Sequence, residues 1–250
     1  MATVTNSFID NQCFESLGED WYSARDNPIG LLRAEARFRN PWLDERIRKR
    51  HGPRARVLDI GCGGGFLSND LGRNGFVVTG VDMSESALNV ARAHDENGCV
   101  RYVCGDACRL PFADSTFDVV CMMDFLEHVE SPSRVIEEAS RVLVTDGSFF
   151  FHTFNRNRLA WLVAIKGVEW FVRNTPPRLH VLEYFIKPDE LRATCSVHGL
   201  RVEEVRGVGP ALLSGALVRL LLHGTVSDDF RFEFKKSTMI GYMGHATRVR

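Results

Sequence analysis

From Arg56 onward, short apolar runs alternate with amphipathic stretches. VLDIG, FVVTGVD, RYVCGD, FDVVCMMD and GSFFFHTF are the runs. Between most of them apolar residues recur every three to four positions, as in SESALNVARAHDENG and PSRVIEEASRVLVTDG. The second of these closes on Asp-Gly, a helix stop. Apolar runs joined by helices predict βαβ units, and so an α/β protein with an open, doubly wound parallel sheet. Upstream, LLRAEARFRNPWLDERIRKR predicts a helix broken before Pro41 and resumed after it. After Phe154 the rhythm stops. Residues 155–186 read as a helical insertion, followed by a helix near 187–197 and strands near 200–208 and 238–248. The chain therefore divides into an N-terminal helical segment (1–53), a ligand-binding core (54–154), the insertion as lid or membrane contact (155–186), and the C-terminal part of the same fold (187–250).

Composition narrows the picture. The 250 residues are 44% hydrophobic and 25% charged, as in globular proteins, and a net charge of -1 offers no basic field for nucleic acid. The opening MATVTNSFIDNQ lacks the basic and apolar regions of a signal peptide. No apolar stretch reaches the roughly 20 residues that span a bilayer. Seven scattered cysteines fit a reducing cytoplasm. Cys99, Cys104 and Cys108 lack the CxxC pair of a structural zinc site.

The candidate chemistry begins with RARVLDIGCGGGFLSNDLGRNGFVVTGVD. Glycines after the first strand let a ligand approach bare backbone, and the next helix starts near Gly65 with free N–H groups. Phe66 and Leu67 stand where a P-loop has Lys-Ser/Thr, which excludes that route to phosphate binding. Asp82 closes strand two about 20 residues on, where a carboxylate accepts from ribose hydroxyls. Asp106 closes strand three, placed for an adenine amino group. Asp59, inside strand one, is read as orienting the glycine loop. Gly61, Gly63, Met83, Ala107 and Met123 complete the candidate cofactor site.

VLDIGCGGG, VTGVD, GDA and FDVVCMMDFLEHV together resemble the class I S-adenosylmethionine-dependent methyltransferases. The resemblance implies a Rossmann-like, seven-stranded, mostly parallel sheet whose last strand runs antiparallel, with S-adenosyl-L-methionine as cofactor. It implies that Gly61 and Gly63 meet the cofactor's methionine end, Asp82 its ribose and Asp106 its adenine. In MDFLEHV, His128 is the candidate general base, with Glu127 beside it. The bland alternative is that both only cap or orient the following helix. Asp124, Glu127 and His128 are also donors of the kind that grip magnesium or another divalent cation. FHTFNRNRLAWLVAIKGVEWFVRNTPPRLHVLEYFIKPDEL is similar to the matching region of the ubiquinone-biosynthesis 3-O-methyltransferases. That similarity implies methylation of a polyprenylated catechol and a metal site at Asp124, Glu127 and His128, with aspartate replacing the usual first glutamate.

The insertion carries Leu159, Trp161, Leu162, Ile165, Trp170 and Phe171 among Arg156, Arg158, Lys166, Arg173 and Arg178. Such a helix suits an anionic membrane surface, which implies a cytoplasmic protein peripheral to the inner face of the membrane. A lid packed on the sheet or a dimer contact is the alternative. Other functions remain open: a secondary-metabolite O- or N-methyltransferase with another acceptor, or a non-catalytic cofactor-binding partner subunit.

Overall fold

The computed structural model describes residues 11–249, so most of the N-terminal stretch read for a leader lies outside the described residues. The strands are β1 (Arg56–Ile60), β2 (Val77–Asp82), β3 (Val100–Cys104), β4 (Phe117–Met123), β5 (Leu143–Phe154), β6 (Leu200–Pro210), β7 (Phe232–Lys235) and β8 (Gly241–Arg248). They form one sheet in the order β3-β2-β1-β4-β5-β8-β6-β7. β1 to β5 pair in parallel, whereas β8 runs antiparallel between β5 and β6. The count exceeds the expected seven by one short edge strand, β7, which pairs antiparallel with β6. Its source is the alternation in FRFEFK, a period of two that places Phe232 and Phe234 on one face.

The helices are α1 (Asp20–Ser23), α2 (Ile29–His51), α3 (Phe66–Arg73), α4 (Glu85–Ala93), α5 (Pro132–Val142), α6 (Arg158–Ala160), α7 (Val168–Phe171), α8 (Pro188–Val197) and α9 (Gly215–His223). A π-helical turn, Trp161–Gly167, joins α6 to α7. The central strands are buried on both faces, as parallel strands under two helical layers must be. Leu58, Ile60, Val120 and Met122 pack with Val135, Ile136 and Leu191 of α5 and α8. The alternate residues Val57, Val119, Cys121 and Met123 pack with Leu43, Ile47, Leu67 and Leu71 of α2 and α3.

Two helix boundaries differ from the sequence expectation. α2 runs unbroken through Pro41. Proline removes the hydrogen bond to the carbonyl four residues back, here that of Arg37, and both residues lie on the exposed side where water can replace it. α5 ends at Val142, short of Asp146, whose φ of 62° makes the turn inside the β5 region. Among the described residues no helix is long and apolar enough to cross a membrane.

Candidate active site

Parallel pairing of β3, β2, β1 and β4 puts their carboxyl ends along one edge, and the strand order reverses between β1 and β4. That crevice is where open α/β sheets take ligands. The glycine loop begins at the end of β1. Gly61 and Gly63 adopt φ of 71° and 50°, a region that disfavours side chains. The Gly61 and Cys62 N–H groups donate to the Val81 carbonyl, which ties the loop to β2. A Cβ on Gly61 would stand 2.1 Å from the Phe125 ring, and one on Gly63 or Gly64 would stand 2.7 Å from the Trp21 indole. The bare backbone is thus already faced by two aromatic rings.

Asp82, at the end of β2, accepts from the Gly63 N–H and the Ser84 N–H, each at 2.9 Å. Burial raises its pKa, and these N–H groups oppose that rise. Asp59 is buried at 3% exposure and accepts from the Ser68 hydroxyl at 2.7 Å, so its carboxylate fastens α3 from behind the loop. Burial pushes it up to about 6 against the pull of Ser68 and Arg39. Met83 is exposed beside Asp82, whereas Ala107 and Met123 are buried. Asp106 is exposed past the end of β3 and accepts from the Cys108 N–H at 2.8 Å.

Past β4 the chain makes a turn at Asp124, with φ of 52°, and a 3₁₀ turn over Leu126–His128. The three residues grouped by sequence take different hydrogen-bond partners there. Asp124 accepts from the Arg39 guanidinium and from His152 Nδ1. Burial opposes its ionisation, but those two cations hold its pKa below the ordinary carboxylate range. Glu127 is fully buried and accepts from the Thr153 hydroxyl at 2.8 Å, while its Oε1 has no partner. Burial, reinforced by Asp124, raises its pKa. Glu127, His128 and His180 bring their ligand atoms within 4.8 Å of one another. Burial lowers His128 to about 3 and His180 to about 4, so both imidazoles are neutral. A second group, Glu35, Asp124 and His152, meets the same distance limit. Burial would lower the His152 pKa, but Glu35 and Asp124 raise it to about 9.

Both groups border a cavity of about 470 Å³. Its walls are otherwise almost wholly apolar, from Phe14, Ile29 and Leu32 across Val163, Val168 and Leu179 to Leu220, Phe230 and Phe232. Sequence reasoning missed Glu35, Arg39, His152 and His180. A histidine inside the apolar run GSFFFHTF was the one available signal; α2 carries charges on every face and so does not announce which is buried.

An α/β sheet of this order, with a glycine loop after β1 and a carboxylate at the end of β2, defines a class I S-adenosylmethionine-dependent methyltransferase. Residues 58–151 match the family model described as a methyltransferase domain. The chain is 38% identical over 199 residues to the ubiquinone biosynthesis O-methyltransferase of Pseudomonas entomophila (strain L48), covering 78% of this chain and 84% of that one. It is 36% identical over 203 residues to the protein of the same name from Coxiella burnetii (strain RSA 331 / Henzerling II), covering 78% and 82%. Magnesium protoporphyrin IX methyltransferase from Synechocystis PCC 6803, solved with bound SAH, shares the fold at a TM-score of 0.62 and 19% identity, over 94% of this chain and 96% of that one. The chain belongs to the ubiquinone biosynthesis O-methyltransferase family of S-adenosylmethionine-dependent enzymes.

Proposed function

We propose that this enzyme methylates a hydroxyl group on a lipophilic aromatic ring, a polyprenylated catechol of the quinone-precursor type. The observation that carries the reading is the cavity of about 470 Å³, lined by apolar side chains apart from the clustered polar groups Glu35, Asp124, His128, His152 and His180. A ring with an isoprenoid tail has that distribution, and the relatives' names accord with it. The cofactor supplies an electrophilic methyl group on a sulfonium. Gly61 and Gly63 give it close approach, Asp82 accepts from its ribose hydroxyls, and Asp106 faces its adenine. Met83, Ala107 and Met123 border it, and Asp59 keeps the loop in place.

His128 and Glu127 handle the acceptor's proton. The orphaned Glu127 Oε1 and the two neutral imidazoles also fit a divalent cation, with His180 in the place sequence gave to Asp124. Two imidazoles and one carboxylate suit a borderline cation such as zinc or iron(II) better than magnesium. A bound cation would lower the pKa of an adjoining hydroxyl. The chain's own part is to seat that hydroxyl in an apolar pocket, where orientation lowers the barrier.

The cavity's outer wall includes the exposed side chains Leu162, Trp170, Phe171 and Leu221. Trp161 (39% exposed), Leu213 (fully exposed) and Leu222 (73%) extend this apolar rim. Lys166 pairs with Glu169 and Arg156 with Glu190, and Arg158 and Arg173 are further exposed basic groups of the insertion. We assign the rim to an anionic membrane surface, from which a tailed substrate can enter the cavity. Methyl transfer to alkylated catechols, with and without chelator, tests the reaction. Co-sedimentation with anionic against neutral liposomes tests the surface. No turnover of any hydroxylated aromatic would remove the reading. Equal binding to both liposome types would remove the role of the arginines.

A further inference from the structure

His152 lies on β5, 1% exposed, with Nδ1 committed to Asp124. Its Nε2 is buried without an aligned hydrogen-bond partner, in a residue that lines the cavity. Glu35 of α2 brings Oε1 to 3.1 Å from that nitrogen, but the contact does not form an aligned hydrogen bond. Glu35 is itself buried at 6% exposure and lines the same cavity. In the sheet His152 pairs with Met243 of β8, and Gly241, two positions along, also comes close to the ring: a Cβ there would stand 3.3 Å from His152 Nε2. A buried ring nitrogen without an aligned hydrogen bond is under-satisfied, by up to about 1–3 kcal/mol, even beside a carboxylate.

The pair presents one donor and one acceptor, side by side. A hydroxyl group is the complement: its oxygen accepts from Nε2–H and its proton is given to the Glu35 carboxylate as a hydrogen bond. An ether or a hydrogen at that position satisfies neither or only one. A metal ion is a poor occupant, because the Arg39 guanidinium on Asp124 fixes a positive charge beside the trio. The Glu127, His128 and His180 group lies apart, with the Phe154 ring against both His152 and His180 at centroid distances of 5.8 and 5.2 Å.

We infer that His152 and Glu35 are positioning residues that seat the second hydroxyl of the acceptor, adjacent to the oxygen that receives the methyl group. The inference rests on the proposed methylation of a dihydroxylated ring. It makes the pair the determinant that separates vicinal diols from monophenols and from rings already methylated at the neighbouring oxygen.

The test compares kcat and KM for a 4-alkylcatechol, the matching monophenol and the matching 2-methoxyphenol. Glu35→Ala should lower the catechol-to-monophenol ratio of kcat/KM at least tenfold, mainly through KM for the catechol. Glu35→Gln keeps an acceptor oxygen and should recover most of that ratio. An equal loss on both acceptors would overturn the inference and leave Glu35 structural. A readout independent of the variants uses the wild-type protein saturated with S-adenosylhomocysteine. The His152 imidazole resonances should shift on adding catechol and stay in place with monophenol, and identical responses would also overturn it. Failure of the wild-type protein to methylate any of the three rings is a separate result. It removes the proposed reaction itself, and the inference with it.

Discussion

Replacing Asp82 by alanine is the most direct test of the cofactor site. A carboxylate offers about four acceptor positions. The Gly63 and Ser84 N–H groups fill two of them at 2.9 Å, so about two remain for ribose hydroxyls. The substitution therefore acts twice. It strands the Gly63 N–H of the glycine loop and the Ser84 N–H at the start of α4, and it removes the proposed ribose acceptor. Hydrogen bonds to a charged group contribute about 1.5–3 kcal/mol each, and water reaching the opened loop will recover part of that. We expect a stability loss of about 2–4 kcal/mol. Cofactor affinity should fall by about 1.5–3 kcal/mol, a ten- to hundredfold rise in Kd. Asp82→Asn keeps the shape and one acceptor oxygen and should fall between. Chemical denaturation reads the first effect, and calorimetric titration with S-adenosylhomocysteine reads the second. A folded Asp82→Ala protein that binds as tightly as the wild type would refute the assignment, whatever its stability. A stability loss with unchanged affinity would confine Asp82 to holding the loop.

Three further outcomes follow from the same geometry. Gly61→Ala puts a Cβ against the Phe125 ring in a left-handed backbone region that costs about 1–2 kcal/mol, so cofactor affinity should drop more than tenfold by calorimetry. Arg39→Met leaves Asp124 charged and buried beside His152 alone; denaturation should show about 3–5 kcal/mol lost, and a change below 1 kcal/mol would count against the buried pair. His152 has a folded pKa raised from 6.5 to about 9, so its contribution is fully present below pH 6.5 and is lost as pH rises through 9. That shift corresponds to on the order of 3 kcal/mol. The wild-type Tm should therefore fall between pH 7 and pH 9.5 more steeply than that of His152→Asn, and parallel curves would dismiss the shift.

The sheet edge that carries the candidate cofactor residues was legible in the sequence because it is built from consecutive βαβ units. Asp59, Gly61, Gly63, Asp82 and Asp106 each lie at or just past the carboxyl-terminal half of consecutive strands. Once βαβ units pair in parallel, these positions fall along one edge with no further information. The antiparallel last strand also followed from family resemblance, and only the short edge strand β7 was added by the structure. The acceptor end was not legible. Arg39 and Asp124 meet across 85 positions of chain, and Glu35 reaches His152 from a helix whose charges ring its whole surface. No local periodicity marks such a face as buried, and Pro41 argued locally for a break that the solvent-facing side of α2 absorbs. The grouping of Asp124 with Glu127 and His128 came from their donor types and from the family resemblance. Folding turned Asp124 toward two cations supplied by α2 and β5 and brought His180 in from the insertion. Sequence determined which strand ends share the edge proposed for the cofactor, because strand pairing is set by patterns a few residues long. Tertiary structure decided which charges share the cavity, because desolvation and opposite charge act between groups that only packing brings together.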